Sequence, residues 1–184
     1  FTASLNAQQL RQAAAMDEVL WIDRFSEPEY DMDNARDQGG ANTIEAVAGY
    51  TGAGIIGHVY EGVEGTHPDF NTPMLQVGPG SCSGANNHGH CTAGIVFGNG
   101  NSAPQARGMA PDAVGFFTRY VSSTNTTCAT SPARNTIIGN AISTNNIMFT
   151  TASWGNSRTF NYTSDSADAD DIVFDHRIPW TQSQ

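Results

Sequence analysis

Apolar and polar positions alternate along this chain in two different rhythms. Short apolar runs of strand length occupy residues 54–60, 114–121 and 147–155. Residues 134–146 place isoleucine and alanine at helical spacing, and the run T-A-G-I-V-F-G from residue 92 has the small side chains of a tightly packed helix. Strands that alternate with helices in this way favour an α/β fold with a parallel sheet, whose functional residues collect at the carboxyl ends of the strands.

The first 24 residues follow a separate pattern. Residues 1–5 alternate, residues 6–16 have helical spacing, and the apolar run V-L-W-I-D covers residues 19–23. We therefore predict a strand, a helix capped by Asn6, and a second strand. The acidic, glycine-bearing stretch 26–42 is typical of a linker or a surface crossing.

Composition narrows the classes of partner. The chain has 184 residues, enough for one domain with a sizeable core, and a formal net charge of −10. All eight basic residues are arginine, against 18 acidic ones. Such a surface repels phosphate backbones and anionic lipids, and no apolar run approaches the roughly 20 residues that cross a bilayer. We expect neither nucleic-acid nor membrane partners.

The three cysteines lack the C-x-x-C spacing of a metal site. Cys82 and Cys128 both lie in loops rich in glycine, serine and threonine, where a secreted protein places a disulfide. Sequence alone leaves the pairing open. Cys91 falls in the apolar run after residue 90, which predicts a buried thiol.

Two of the five histidines stand where a polar, glycine-rich loop becomes a helix, in S-G-A-N-N-H-G-H-C-T-A-G. His88 is either an ordinary loop residue or a catalytic histidine at a helix start. A zinc site formed by His88, His90 and Cys91 is the weaker alternative, because consecutive positions diverge around a helix and no distant pair of ligands is found. We expect His67 and His90 to be structural hydrogen-bonding residues.

Four segments, in order, resemble the motifs of the subtilisin-like serine peptidases, or subtilases. They are T-G-A-G-I-I-G-H-V-Y-E-G-V-E-G-T-H-P-D-F, H-G-H-C-T-A-G, G-M-A-P-D-A and A-S-W-G. The resemblance implies a subtilisin-like α/β fold, with His88 as the histidine of the catalytic triad. It also implies that Ser153, Trp154 and Gly155 bind the substrate backbone.

The acid of the triad departs from the family's aspartate. Counted from the glycines before the strand, the acid position is Glu61; counted back from His67, it is Tyr60. We favour Glu61, because its extra methylene compensates for a loop that is one residue shorter.

The family's nucleophile motif G-T-S-M-A-x-P and its oxyanion segment A-A-G-N-x-G are not found in these residues. The resemblance therefore implies that residues 26–184 are the N-terminal part of a cleaved catalytic domain, ending near the oxyanion strand. A companion C-terminal chain would supply the serine. Residues 1–25 resemble the end of the family's propeptide, which implies a remnant of the zymogen. We expect this segment to pack on the catalytic domain, with Leu10 and Trp21 buried there.

These inferences predict a fragment of a secreted serine endopeptidase that acts on polypeptides. We expect that an export signal preceded Phe1 and was removed. The alternative is a degraded pseudopeptidase that uses the same fold for binding or scaffolding; an unrelated α/β binding protein is the remaining rival. The sequence identifies no cofactor with certainty, and calcium, the usual ion of subtilases, is the candidate that the resemblance implies. Its candidate ligands are Asp165, Asp168, Asp170 and Asp171, for which a solvated acidic surface is the alternative.

Overall fold

The structure, a computed structural model, describes residues 3–23, 32–78, 87–119, 134–154 and 160–182. It divides into two compact units, Phe1–Tyr30 and Asp31–Gln184. Within the described residues, no helix is both long and apolar enough to cross a membrane.

In the first unit, the described residues 3–23 contain one helix, α1 (Ala7–Ala14). The Asn6 side chain accepts hydrogen bonds from the backbone N–H groups of Gln8 and Gln9, which confirms the predicted cap. The two predicted strands are wrong: the described residues on both sides of α1 are not strands, because an alternating segment becomes a strand only with a partner. Within this unit Leu10 and Trp21 are 44% and 82% exposed, so their expected burial against the catalytic domain stays a prediction.

The second unit begins with two helices where a linker was predicted. Helix α2 spans Met32–Gln38 and helix α3 spans Ala41–Ala48. Gly40 separates them with a φ of 79°, a left-handed conformation that glycine adopts without strain. Helix α2 lies within the stretch predicted as a linker or a surface crossing, and the linker is wrong there because the buried Arg36 ties this helix to the Gly108 carbonyl oxygen.

Among the described residues, five parallel strands form one sheet, which confirms the predicted α/β class. The strands are β1 (Ile56–Val59), β2 (Leu75–Gln76), β3 (Val114–Phe117), β4 (Phe149–Ala152) and β5 (Trp180–Gln182). Their spatial order is β2-β3-β1-β4-β5, so the carboxyl ends of β1 and β4 are neighbours. The apolar pattern predicts β1, β3 and β4, whereas β2 and β5 are too short to produce a recognisable pattern in the sequence.

Helices cover both faces of this sheet. They are α4 (Asn87–Phe97), α5 (Arg134–Asn145) and α6 (Ser164–His176). Val59 and Tyr60 are consecutive and therefore point to opposite faces. Val59 packs in a core with α4 and β3, while Tyr60 packs against Ile137 of α5. A further core joins α5 to α6 through Ile138 and Ile172.

Candidate active site

Glu61 lies at the carboxyl edge of the sheet, directly beyond β1. The Tyr60 N–H donates to the Thr151 carbonyl oxygen at 2.9 Å and so extends the pairing of β1 with β4. The next residue is therefore delivered to the end of β4. Glu61 is fully buried there.

His88 is the second residue of α4, and the close approach of this helix to Glu61 depends on glycine. A Cβ atom at Gly89 would lie 2.5 Å from the Glu61 Cβ and 2.5 Å from the Gly62 carbonyl oxygen, both too close. With glycine there, the His88 Nδ1 lies 2.6 Å from the Glu61 Oε2. The His88 side chain is 59% exposed and that of Glu61 is 1% exposed. The imidazole thus faces solvent while its carboxylate partner lies inside.

The other carboxylate oxygen of Glu61 has two donors. The Ser153 N–H donates to Oε1 at 2.6 Å, and the Thr92 hydroxyl lies 3.3 Å from the same oxygen. A buried carboxylate needs such partners, because removing it from water without hydrogen bonds is costly. The site therefore holds Glu61 from three elements: β1, the end of β4, and α4.

The structure separates the two candidate acid positions. Tyr60 is 3% exposed and belongs to the core with Ile137 and Ala152, where its ring meets that of Trp154 edge-on at 5.7 Å. Glu61 is the side chain that contacts His88. The register counted from the glycines is the one that brings a carboxylate to the imidazole.

The predicted substrate-binding segment follows β4, and Trp154 is held there from three sides. Its indole N–H donates to the Tyr60 carbonyl oxygen at 2.7 Å, and the Gln182 amide donates to the Trp154 carbonyl oxygen at 3.1 Å. The Arg134 guanidinium lies 5.9 Å from the indole ring centre. Gly155, the third residue predicted for this segment, lies outside the described residues.

His67 and His90 lie against each other beside the site, with ring centres 5.0 Å apart. The His67 Nδ1 accepts a hydrogen bond from the Asp69 N–H at 3.2 Å, which fits the structural role expected for it. The His90 ring instead packs on Phe70. Burial, followed by the neighbouring His67, lowers the pKa of His90, whereas Glu64 opposes the shift. His90 is therefore a packing residue in this arrangement.

The acidic helix α6 does not fit a calcium site. Asp165 and Asp168 form ion pairs with Arg134 at 3.1 and 2.6 Å, and Asp170 accepts a hydrogen bond from the Tyr162 hydroxyl at 2.7 Å. Among the described residues, no cluster of three or more His, Cys, Asp or Glu side chains could hold a metal ion. Asp171 follows on the same helix and is exposed.

The predicted burial of Cys91 is wrong: its thiol is free and exposed. The buried residues of α4 are Gly89, Thr92, Ala93 and Phe97, and position 91 points away from them. An apolar run shows that a helix is packed but not which side of it is packed. Cys82 and Cys128, with any bond between them, lie outside the described residues.

Two residues of this region were not singled out from the sequence. Thr92 stands four positions after His88, so helical periodicity does place both on one face of α4. His58 lies within β1, fully buried, and burial lowers its pKa to about 3. The sequence shows that His58 lies in an apolar run, but it does not show that the imidazole is fully buried.

The order of these elements and the contact between Glu61 and His88 can be compared with known protein families. Residues 54–178 match the model of the Subtilase family. The chain belongs to the subtilase family. A search of curated proteins finds no match.

Solved structures share the fold of this subtilase at low identity. The prenylagaramide maturation protease PagA is 20% identical with a TM-score of 0.56, and the match covers 78% of this chain and 50% of PagA. MycP1 from the ESX-1 type VII secretion system is 18% identical with a TM-score of 0.56, over 91% of this chain and 47% of MycP1. The psychrophilic subtilisin-like protease Apa1 from the Antarctic psychrotroph Pseudoalteromonas sp. AS-11 is 18% identical with a TM-score of 0.52. The match covers 74% of this chain and 33% of Apa1.

This subtilase chain spans about half the length of the first of these solved structures, with 50% of PagA covered. The structural likeness at this low identity shows the fold, a subtilisin-like parallel sheet that covers part of these chains. The family and the fold therefore stand as findings.

Proposed function

We propose that this chain is the N-terminal part of a secreted serine endopeptidase and is completed by a companion C-terminal chain that carries the nucleophilic serine. In this proposal Glu61 and His88 are two members of the catalytic triad. Ser153, Trp154 and Gly155 bind the backbone of a polypeptide substrate, and residues 1–25 are a propeptide remnant. Calcium has no part in the proposed reaction.

One observation carries the proposal: the buried Glu61 carboxylate lies 2.6 Å from the Nδ1 of the half-exposed His88. A carboxylate there fixes the imidazole with its proton on Nδ1 and stabilises the imidazolium once it forms. Nε2 is then the atom that accepts a proton. The burial of Glu61 and the exposure of His88 match these two roles, since the orienting acid is inside and the base faces a substrate.

The chemistry follows from that arrangement. His88 Nε2 takes the serine proton as the serine oxygen attacks the peptide carbonyl carbon, and an acyl-enzyme forms when the amine leaves with the proton from His88. Water then attacks the acyl-enzyme with His88 again as the base, which releases the acid and restores the serine. In this scheme Glu61 orients His88 and takes up no proton itself.

The segment after β4 supports the proposed substrate contact. The Trp154 indole donates to the Tyr60 carbonyl oxygen and lies beside Arg134, so its side chain has a fixed position next to the proposed substrate contact. An extended peptide added beside such a strand end pairs with its backbone and leaves side chains to select the sequence.

The test is covalent labelling of the assembled protein with a fluorophosphonate, which reacts with activated serines. We expect the label on one serine of the companion chain, inside a G-T-S sequence, and we expect His88→Ala to abolish labelling. His67→Ala is the matched control and should leave labelling within about twofold, because His67 does not touch Glu61.

The pseudopeptidase is favoured by one departure, the glutamate where the family has aspartate. It would be supported by a folded, assembled protein that neither takes up the label nor cleaves peptides. A companion chain with another residue in place of the serine would decide in its favour.

A further inference from the structure

Thr92 lies on the buried face of α4, one turn after His88. It is 7% exposed. Its hydroxyl oxygen is 3.3 Å from the Glu61 Oε1 and 3.2 Å from the His88 carbonyl oxygen. One hydroxyl therefore borders both the proposed acid and the backbone of the proposed base.

The hydroxyl has a single hydrogen, so it can donate fully to one of these two oxygens. A carboxylate is the stronger acceptor, because hydrogen bonds to ionised groups are shorter and about twice as strong as neutral ones. The alternative is the bond to the carbonyl four residues earlier, a common arrangement for threonine within helices. A bond to the carboxylate would help to hold Glu61 in place, whereas a bond to the carbonyl oxygen would act only within the helix.

A glutamate has one more rotatable bond than an aspartate and loses more conformational freedom when it is held in one geometry. The Ser153 N–H fixes Oε1 from β4 at 2.6 Å. Thr92 approaches the same oxygen from the helix that carries His88. With Oε1 held from two sides, Oε2 remains directed at the His88 Nδ1.

We propose that Thr92 is a positioning residue that holds the Glu61 carboxylate in line with His88. This inference rests on the proposed function of Glu61 and His88. Thr92 touches no substrate and acts only through Glu61. A hydroxyl at this position makes the longer acid usable in place of an aspartate.

The decisive experiment is a double-mutant cycle in the assembled enzyme. Thr92→Val keeps the shape of the side chain and removes the hydroxyl. We expect it to lower kcat about tenfold, equivalent to about 1.4 kcal/mol, with KM changed less than twofold. Thr92→Ser keeps the hydroxyl and should stay within about threefold of the parent. In the Glu61→Gln background, Thr92→Val should cost less than twofold more.

Two outcomes of this cycle overturn the proposal. A full tenfold loss from Thr92→Val in the Glu61→Gln background would mean that the threonine acts through the helix and not through Glu61. A loss in Thr92→Ser equal to that in Thr92→Val would mean that the hydroxyl does not matter.

A spectroscopic measurement separates failure of this inference from failure of the proposed function. The proton between His88 Nδ1 and Glu61 gives a downfield NMR signal, which is assigned by its absence from His88→Ala. We expect Thr92→Val to change its chemical shift or its exchange rate and Thr92→Ser to preserve both. If the assembled protein lacks turnover, the proposed function fails and this signal alone decides the role of Thr92: an unchanged signal in Thr92→Val overturns it.

Discussion

The acid position shows how one residue can depart from its family and keep its contact. Glu61 is one methylene longer than aspartate, and its backbone is placed by the pairing of Tyr60 with Thr151. Gly89 lets α4 approach the Glu61 Cβ. The side chain then has the length that brings its oxygen to 2.6 Å from the His88 Nδ1.

Replacing Glu61 by glutamine should lower kcat/KM of the assembled enzyme by several hundredfold or more. The amide can present its NH₂ to the imidazole and stabilise the wrong tautomer, and the comparable change in another serine protease costs about 10⁴ in kcat. Glu61→Asp should also lose activity, because its carboxylate would stop one methylene short. Tyr60→Phe is the control and should stay near normal, since that ring is packed in the core. Near-normal Glu61→Gln together with an inactive Tyr60→Phe would place the acid one residue earlier.

His58 predicts a loss of stability in acid. Its Nε2 lies 2.9 Å from the Thr118 hydroxyl, and burial lowers its pKa from 6.5 to about 3. Between these values the unfolded chain binds a proton that the folded chain does not bind. The free energy of unfolding therefore falls as the pH drops below 6.5, by about 1.4 kcal/mol per pH unit from this one group, until about pH 3.

Urea unfolding of the assembled protein at pH 7 and pH 4.5 measures this effect. Between these two conditions, His58→Gln should lose about 2–3 kcal/mol less stability than the parent, because glutamine does not titrate. An unchanged pH dependence in His58→Gln would contradict the assignment.

At the scale of elements, the buried Arg36 fastens α2 and α3 to the loop before β3. Its guanidinium donates to Asn42 at 2.8 Å, to Glu45 at 2.5 Å, and to the Gly108 carbonyl oxygen. The residues after Gly108 in turn donate backbone bonds to the last turn of α4. Arg36 therefore links α2 and α3 to the segment that is hydrogen-bonded to the end of α4.

Arg36→Met should therefore destabilise the assembled protein by about 1–3 kcal/mol, because the buried Gly108 carbonyl oxygen loses its donor. Arg107→Met is a matched control: Arg107 contacts the same Glu45 carboxylate at 2.6 Å but is 31% exposed, and it should cost less than about 1 kcal/mol. Thermal unfolding checks both. Equal losses would show that burial of Arg36 is not what matters.

The same network predicts a second acid dependence. The hydrogen bond from Arg107 is the largest cause that lowers the pKa of Glu45 below 4.5. A carboxyl with a lowered pKa contributes stability above its unfolded value, so this contribution is present above pH 4.5 and is lost as the pH falls below it.

At the scale of the whole molecule, the described sheet has an exposed strand edge close to exposed apolar side chains. Strand β5 pairs with β4 and forms one edge of the described sheet. Large apolar side chains of α6 and of the segment before it are exposed, namely Phe160, Tyr162, Val173 and Phe174. Exposed edges and apolar patches of this kind favour association.

We expect the 184-residue chain, expressed alone, to associate and to cleave no peptide. Sedimentation and a peptide assay measure the two properties, and addition of the companion chain should restore both a defined species and activity. The His88→Ala chain, assembled in the same way, is the control for contaminating proteases. A soluble, monomeric and protease-active chain by itself would contradict the companion-chain proposal.

The sequence by itself determined the features whose signals are local. Apolar runs placed β1, β3 and β4, helical spacing placed α5, and Asn6 placed the start of α1. The motif around residues 88–94 put His88 at the start of a helix, and the count from the glycines favoured Glu61. The elements were placed correctly because each signal depends on neighbours within a few positions along the chain, whereas the catalytic roles of Glu61 and His88 stay predictions.

Only the tertiary structure decided what depends on contacts between distant segments. Glu61 and the Ser153 N–H are 92 positions apart and meet because β1 and β4 are adjacent in the sheet. The exposed side of Cys91 and the helices around Arg36 likewise follow from packing partners elsewhere in the chain. Periodicity records that a segment has a buried face, but only the fold determines which atoms lie against that face.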